Sequence, residues 1–135
     1  MTGNHEMEIA SAVEALHADL AAWLGSAASD EVFERFAAAQ HERFSMVSLS
    51  GVVLGRDELL TGLRGARNAQ PGLLIEVSEV TELTRAGELV VIRFLERHRT
   101  EDDSSSRRVT AVLCAAEGPS PDYRWLAVHE TATDE

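Results

Sequence analysis

The second half of the chain restricts the fold most, because strand-like segments follow one another there in close succession. These segments are rich in β-branched and aliphatic residues, and short polar or glycine-containing stretches separate them. The four segments are Leu73–Thr84, Glu88–Thr100, Arg107–Ala116 and Arg124–Thr131. Long strands joined by short turns form an antiparallel meander, and such strands twist and coil. We therefore expect a strongly curved sheet whose concave side other elements fill.

The first half supplies those elements. Apolar residues recur at spacings of three and four along an initial amphipathic helix. They are Ile9, Val13, Leu16, Leu20, Trp23 and Leu24. A second helix begins near Asp30, short strands follow at Phe44–Ser48 and Val52–Leu54, and a third helix runs from Gly55 to about Arg67. The sequence thus predicts one α+β domain over residues 1–135, a cone-shaped antiparallel sheet packed on three helices with a hollow inside.

The composition argues against several chemistries. The formal charge is −11, from 23 acidic and 12 basic residues, and every basic residue is arginine. Such an acidic chain is expected to repel nucleic acid and anionic membranes. Without lysine, it cannot form a Schiff base. It contains no cysteine–histidine spacing typical of zinc and no glycine-rich phosphate loop, so we expect neither metal nor cofactor.

The compartment is inferred from three absences in the sequence. Cys114 is the single cysteine, which excludes an internal disulfide and fits a reducing environment. The first residues lack the basic and apolar parts of a signal peptide, and no apolar run approaches the length of a membrane span. A cytoplasmic protein is the expectation.

Four segments carry a resemblance to a known family. They are the first helix with Leu20 and Trp23, the segment Gly55–Leu59, the triplet Ile92–Phe94, and the last strand Arg124–Thr131, where a tryptophan precedes a Val-His pair. Together they resemble the nuclear transport factor 2-like superfamily. The branch they resemble contains polyketide-cyclase-like (SnoaL-like) proteins and the calcium/calmodulin-dependent kinase II association domain. The resemblance implies a cystatin-like cone, a pocket inside it and homodimers formed through the outer sheet face.

The same resemblance implies a ligand-binding role for Arg93. The arginine at the matching position of the association domains lines the pocket and can hold a carboxylate, which the guanidinium fork suits. A second pocket arginine would fall near Ala111, and Arg108 lies close by. The alternative is that Arg93 forms a structural ion pair or faces solvent.

Further candidates come from the strand pattern. Glu96 and His98 lie two residues apart on one face of a strand, where such a pair can poise an imidazole for proton transfer. His129 is expected to share a face with Trp125, opposite Glu130, and to act as a base or hydrogen-bond donor. The alternative is that each of these polar residues has no functional role and is packed, lies in a dimer contact or is solvated.

Three further residues are expected near the pocket. His41 follows the second helix near the predicted cone mouth, where it contacts either a ligand or only solvent. Trp23 and Trp125 are either core anchors or pocket walls.

Three functions stay open at this point. The first is a homodimeric binding or accessory protein that holds a small, partly apolar molecule, with Arg93 meeting a carboxylate if the ligand has one. The second is a cofactor-free cyclase, isomerase or dehydratase with His129, His98 or Glu96 as base. The third is an oligomerisation module that associates through its sheet face.

Overall fold

A computed structural model of the chain describes residues 2–115 and 122–135, with side chains from residue 8 onward. The order of elements is the predicted one: two helices, two short strands, a helix and four long strands. The helices are α1 (Thr2–Gly25), α2 (Asp30–Ala38) and α3 (Arg56–Arg64). The strands are β1 (Gln40–Val47), β2 (Val53–Gly55), β3 (Leu74–Ala86), β4 (Leu89–Arg99), β5 (Ser104–Ala115) and β6 (Tyr123–Thr133). The predicted loop at 117–122 falls, except for Asp122, outside the described residues.

The six strands form one curved sheet in the order β2-β1-β6-β5-β4-β3. Strands β3 to β6 make the antiparallel meander that the sequence predicts. Strand β1 pairs with β2 in antiparallel fashion and with β6 in parallel. The chain therefore crosses from the early strands through α3 to the far edge of the sheet and returns strand by strand.

Within the meander β3 to β6, irregularities in pairing bend the sheet at three places. Strand β3 carries two, and in the first Glu79 has a positive φ of 55°. Strand β6 carries the third, where Val112 pairs with Ala127 but Leu113 pairs with Trp125, so that Leu126 is an extra residue. An extra residue increases local twist and reverses the side on which the following residues point. These irregularities are the local cause of the curvature.

The main core lies between α1 and the concave side of the sheet. Three residues of α1 pack on apolar side chains of the inner strand faces, each of them almost completely buried. The participants are Ile9, Val13 and Leu16 from α1, with Val90, Ile92, Phe94, Val109 and Leu113 from the sheet. Each such burial contributes about 1.5–3 kcal/mol before entropy is counted.

A second, smaller core closes one end of the cone. Trp23 lies there with Phe33, and its Nε1–H donates to the carbonyl of Leu63 at 2.6 Å. The guanidinium of Arg67 covers the indole ring, 4.5 Å from its centroid. Trp23 is therefore a core anchor, and its predicted alternative role as a pocket wall was wrong.

The end of α1 is fixed by backbone contacts to the segment before β3. The amides of Asn68, Gln70 and Gly72 donate to the carbonyls of Trp23, Leu24 and Gly25 at 2.8 Å each. A Cβ on Gly25 would lie 2.8 Å from the backbone nitrogen of Leu73, so only glycine permits this approach. This contact sets where β3 begins relative to α1.

The segment Gly55–Leu59 begins α3 and fixes it to the end of α2. Arg56 donates through Nη2 to the carbonyl of Ala37 at 3.0 Å and through Nε to that of Gln40 at 3.3 Å. Glu58 accepts from the amide of Gly55 at 3.0 Å and so caps α3. Asp57 lies in the first turn of α3, where its charge suits the helix dipole. No helix in the described part of the chain is both long and apolar enough to cross a membrane.

Candidate functional site

A cavity of about 280 Å³ lies inside the cone, between the three helices and the inner face of the sheet. Most of its wall is apolar. The main apolar side chains are Leu16, Leu20, Phe36, Phe44, Phe94 and Trp125. The size and lining are those of a small-molecule site near the lower end of the usual range.

A larger groove of about 940 Å³ lies between α1, α2 and the start of β6. Small residues such as Ala15 and Ala38 line much of it, and its Arg35–Asp19 ion pair of 2.9 Å is largely exposed on the arginine side. We place the candidate site in the smaller cavity, because buried titratable groups converge there.

His17 enters the cavity wall from the inner face of α1. Its Nδ1 lies 2.7 Å from the carbonyl oxygen of Val13, and its Nε2 lies 3.2 Å from Oε2 of Glu96. The ring packs edge-on against Phe94 and Trp125, with centroids 5.3 and 5.8 Å apart. A carbonyl only accepts, so Nδ1 carries a proton, and Nε2 faces a carboxylate. Both contacts therefore favour the doubly protonated imidazolium.

The electrostatic surroundings of His17 favour the same state. Burial acts to lower its pKa, but the hydrogen bond and charge of Glu96 outweigh burial. The carbonyl of Val13 and the charge of Glu130 add to this effect. The pKa of His17 is consequently raised above its ordinary value of 6.5.

Glu96 lies between two histidines and is only 4% exposed. Its Oε1 is 2.5 Å from Nε2 of His98, while its Oε2 faces His17. Burial acts to raise the pKa of Glu96, but hydrogen bonds from His17 and His98, with their charges, lower it well below the ordinary value of 4.5. Glu96 is therefore an ionised carboxylate at neutral pH.

Of these three residues that line the cavity, His98 has the most exposed side chain. Its side chain is 13% exposed, against 5% for that of Glu96, and it lines the cavity. Nε2 is engaged by Glu96, and Nδ1 makes no hydrogen bond to the described residues. Since Glu96 accepts from Nε2–H, a neutral His98 carries its lone pair on Nδ1. The relay His17–Glu96–His98, named here for its three residues, thus ends in a free basic nitrogen.

A second charged pair lines the same cavity. Nη1 of Arg107 on β5 lies 2.6 Å from Oε2 of Glu130 on β6, and both side chains are largely buried. In the β4–β5 register, Arg107 stands opposite Glu96. The described residues contain no group of three or more histidine, cysteine, aspartate or glutamate side chains able to hold a metal ion.

The strand pattern correctly places Glu96 and His98 together. It places Arg93 elsewhere: residues Phe94, Glu96 and His98 face the cavity, so Arg93 is exposed on the outer face. The implied pocket role of Arg93 was therefore wrong. Arg108 was also wrongly expected near the pocket, because it faces outward and pairs with Glu79 at 3.4 Å.

On β6, the structure places Trp125 at the cavity, but it puts His129 and Glu130 on the opposite faces from those predicted. Trp125 does line the cavity, as one of its two predicted roles requires. His129 is exposed on the outer face, while Val128 and Glu130 line the cavity. The reason is the extra residue at Leu126, which puts Trp125 and Glu130 on one side. The shared face predicted for His129 and Trp125 was wrong.

His41 also lies outside the cavity wall. It is half-buried at the start of β1, and its Nδ1 accepts from the amide of Arg43 at 3.0 Å. Sequence reasoning missed Arg107 and, within the relay, His17. His17 follows Val13 by four positions and therefore lies on the apolar face of the first helix, where a polar residue requires a buried partner.

The comparisons with known proteins concern the fold. No family model matches the chain. No curated protein matches it either. Solved structures do match it closely in shape, and their sequences are distant.

Three of these structures illustrate the likeness. An NTF2-like protein of unknown function from Pseudomonas aeruginosa is 24% identical, with a TM-score of 0.87, covering 93% of this chain and 98% of that one. Aln2 from a Streptomyces species is 14% identical, with a TM-score of 0.71 and coverages of 93% and 89%. A putative calcium/calmodulin-dependent protein kinase type II association domain from Thiobacillus denitrificans is 15% identical, with a TM-score of 0.61 and coverages of 76% and 82%. These likenesses confirm the cone-shaped α+β fold.

Proposed function

We propose that this chain, which has the nuclear transport factor 2-like fold, binds a small, mainly apolar molecule in its cone and exchanges a proton with it through His98. The observation that carries the proposal is the buried relay His17–Glu96–His98, which ends at the cavity. Titratable groups with displaced pKa values that converge in a cavity are typical of acid–base sites.

The ligand is small. At about 30 Å³ for each water-sized group, a cavity of 280 Å³ holds about nine such groups. The apolar wall favours a ring or short chain, and the polar end at His98 favours one polar function.

The reaction follows from the hydrogen bonds of His98. Glu96 holds Nε2–H and leaves Nδ1 as the base. When Nδ1 takes a proton from the ligand, the imidazolium lies beside an ionised carboxylate that stabilises it. A positioned base of this kind contributes about 10²- to 10⁴-fold to rate. The proposal is therefore a cofactor-free proton-transfer enzyme of the isomerase, cyclase or dehydratase type.

Proton transfer can be tested without knowing the natural substrate. We would incubate the protein with a panel of small cyclic ketones in D₂O and measure deuterium uptake next to the carbonyl by mass spectrometry. The wild type and His129→Ala are expected to accelerate uptake, because His129 is exposed on the outer face. His98→Ala is expected to lose the acceleration. Equal uptake with His98→Ala and wild type would exclude His98 as the base.

A binding protein without turnover is the second candidate. It is favoured by the largely apolar wall, which needs only one or two polar anchors to orient a ligand. Saturation-transfer NMR that detects bound ketones, together with no deuterium uptake by the wild type, would select this candidate over the enzyme.

We also propose that two copies associate through the outer sheet face. Val91, Val112 and Ala127 lie half-buried on neighbouring strands of that face. Apolar side chains in such an arrangement are typical of a contact surface. Sedimentation of Val112→Glu is expected to show monomers where the wild type shows dimers. A wild-type monomer would exclude this contact.

A further inference from the structure

The charges around the cavity indicate what kind of molecule it accepts, given the proposed function. Five titratable residues are among the described residues of its wall. They are His17, Glu96, His98, Arg107 and Glu130. Because an uncompensated charge is costly in a mainly apolar cavity, the sum of these charges restricts the charge of a ligand.

Four of the five charges cancel in pairs. Arg107 and Glu130 are joined at 2.6 Å and contribute nothing to the sum. His17 carries both ring protons toward acceptors and neutralises Glu96. With both carboxylates already matched, a proton on His98 would add one positive charge to the cavity. The base of the proposed reaction is the neutral form of His98, and with that form the five charges sum to zero.

We infer that the cavity selects an uncharged molecule that can give up a proton, from the carbon next to a ketone carbonyl or from an enol, phenol or amide, and excludes carboxylates. A carboxylate would bring one negative charge into a site that is already balanced. The charge of Arg107 does not compensate it, because Glu130, at 2.6 Å, already balances that charge. Arg93, the arginine expected to hold a carboxylate, lies on the outer face.

An uncharged proton donor keeps the balance during the reaction. The bond between the ligand atom and its hydrogen breaks, a new N–H bond forms at Nδ1 of His98, and the electron pair stays on the ligand. The ligand anion and the new imidazolium cancel each other, so the cavity holds no net charge before or after the step. The relay therefore favours ligands that are neutral when they bind and become charged only inside the cavity.

Two planar probes of matched size separate the possibilities. Benzamide and benzoate differ mainly in charge, and their binding can be measured by saturation-transfer NMR at a pH of about 8, above the usual range of histidine. The wild type is expected to bind benzamide and to bind benzoate about tenfold more weakly or not detectably. Glu130→Gln leaves Arg107 unmatched and is expected to improve benzoate binding about tenfold.

Two further variants serve as controls. Glu76→Gln removes an exposed acid that pairs with Arg99, at 2.9 Å, and is expected to leave both affinities unchanged. The double variant Arg107→Gln with Glu130→Gln removes a balanced pair, and it is expected to keep the preference for benzamide. If Glu130→Gln does not fold, this double variant still tests the inference.

The outcomes are distinct. A wild type that prefers benzoate would overturn the inference about ligand charge and leave the proposed site intact. A double variant that loses the preference for benzamide would also overturn the inference about ligand charge and leave the proposed site intact. Binding of neither probe would overturn the inference together with the proposed function.

Discussion

Replacing Glu96 by glutamine tests the relay most fully, because it removes one charge and keeps the shape. In the wild type, the pKa of His17 is raised and that of Glu96 is lowered. His17 therefore contributes to the stability of the fold below its ordinary pKa of 6.5, and this contribution is lost as the pH rises through its raised pKa. The contribution of Glu96 is present above its ordinary value of 4.5 and lost as pH falls. The pair stabilises the fold most between those two values.

The magnitude follows from burial. The side chains of His17 and Glu96 are only 7% and 5% exposed, so solvent screens their attraction little. Removing one partner of such a pair costs about 3–5 kcal/mol while the other stays charged. At a pH of about 6, the variant must either keep a buried, unpaired imidazolium or remove the proton from His17. We therefore expect its free energy of unfolding to fall by about 3 kcal/mol. In alkaline solution a neutral His17 can accept from the glutamine amide, and we expect a loss of about 1 kcal/mol.

Urea unfolding followed by tryptophan fluorescence at pH of about 6 and about 9 measures both values. Glu76→Gln is the matched control, since its pair with Arg99 is about half exposed and is worth at most about 1 kcal/mol. A loss of equal size at both pH values, or no loss in the acidic sample, would refute the charged state assigned to His17.

Three further substitutions probe the scaffold by the same urea unfolding. Gly25→Ala is expected to cost about 3 kcal/mol or more, because its Cβ would meet the backbone of Leu73 at 2.8 Å; a near-neutral result would contradict that approach. Phe94→Ala, at a fully buried position, should cost about 3–5 kcal/mol, and a loss below about 1 kcal/mol would place Phe94 outside the core. Trp23→Phe leaves the carbonyl of Leu63 without its indole donor and should cost about 1–2 kcal/mol; unchanged stability would show that the hydrogen bond does not form.

Sequence reasoning succeeded where a strand is regular. The pairing of β4 with β5 runs without interruption from Leu89 to Arg99, so simple alternation places Glu96 and His98 on one face. The same alternation separates Arg93 from Glu96, three positions apart. The two candidate sites on β4 thus excluded each other, and the alternation was a better guide than the family resemblance.

Sequence reasoning failed on β6, where one extra residue changes the side of the sheet on which the following side chains lie. The irregularity at Leu126 has no distinctive local sequence, since neither glycine nor proline marks it. The faces of His129 and Glu130 could therefore not be assigned in advance. The parallel pairing of β1 with β6 was equally hidden, because it joins segments far apart in the chain.

The role of His17 could be suspected but not assigned. A histidine on the apolar face of a helix indicates a buried polar partner, and the sequence offers many acids as that partner. Only the packing of α1 on β4 selects Glu96.

The relay itself is tested most directly by ¹⁵N NMR of the histidine rings at a pH of about 7.5, where imidazole in water is mostly neutral. Because the pKa of His17 is raised, the account predicts that a larger share of His17 than of free imidazole carries protons on both nitrogens. It also predicts that His98 carries its proton on Nε2, with Nδ1 free. A neutral His17, or a His98 protonated only on Nδ1, would contradict the assignment of this cavity as a proton-transfer site.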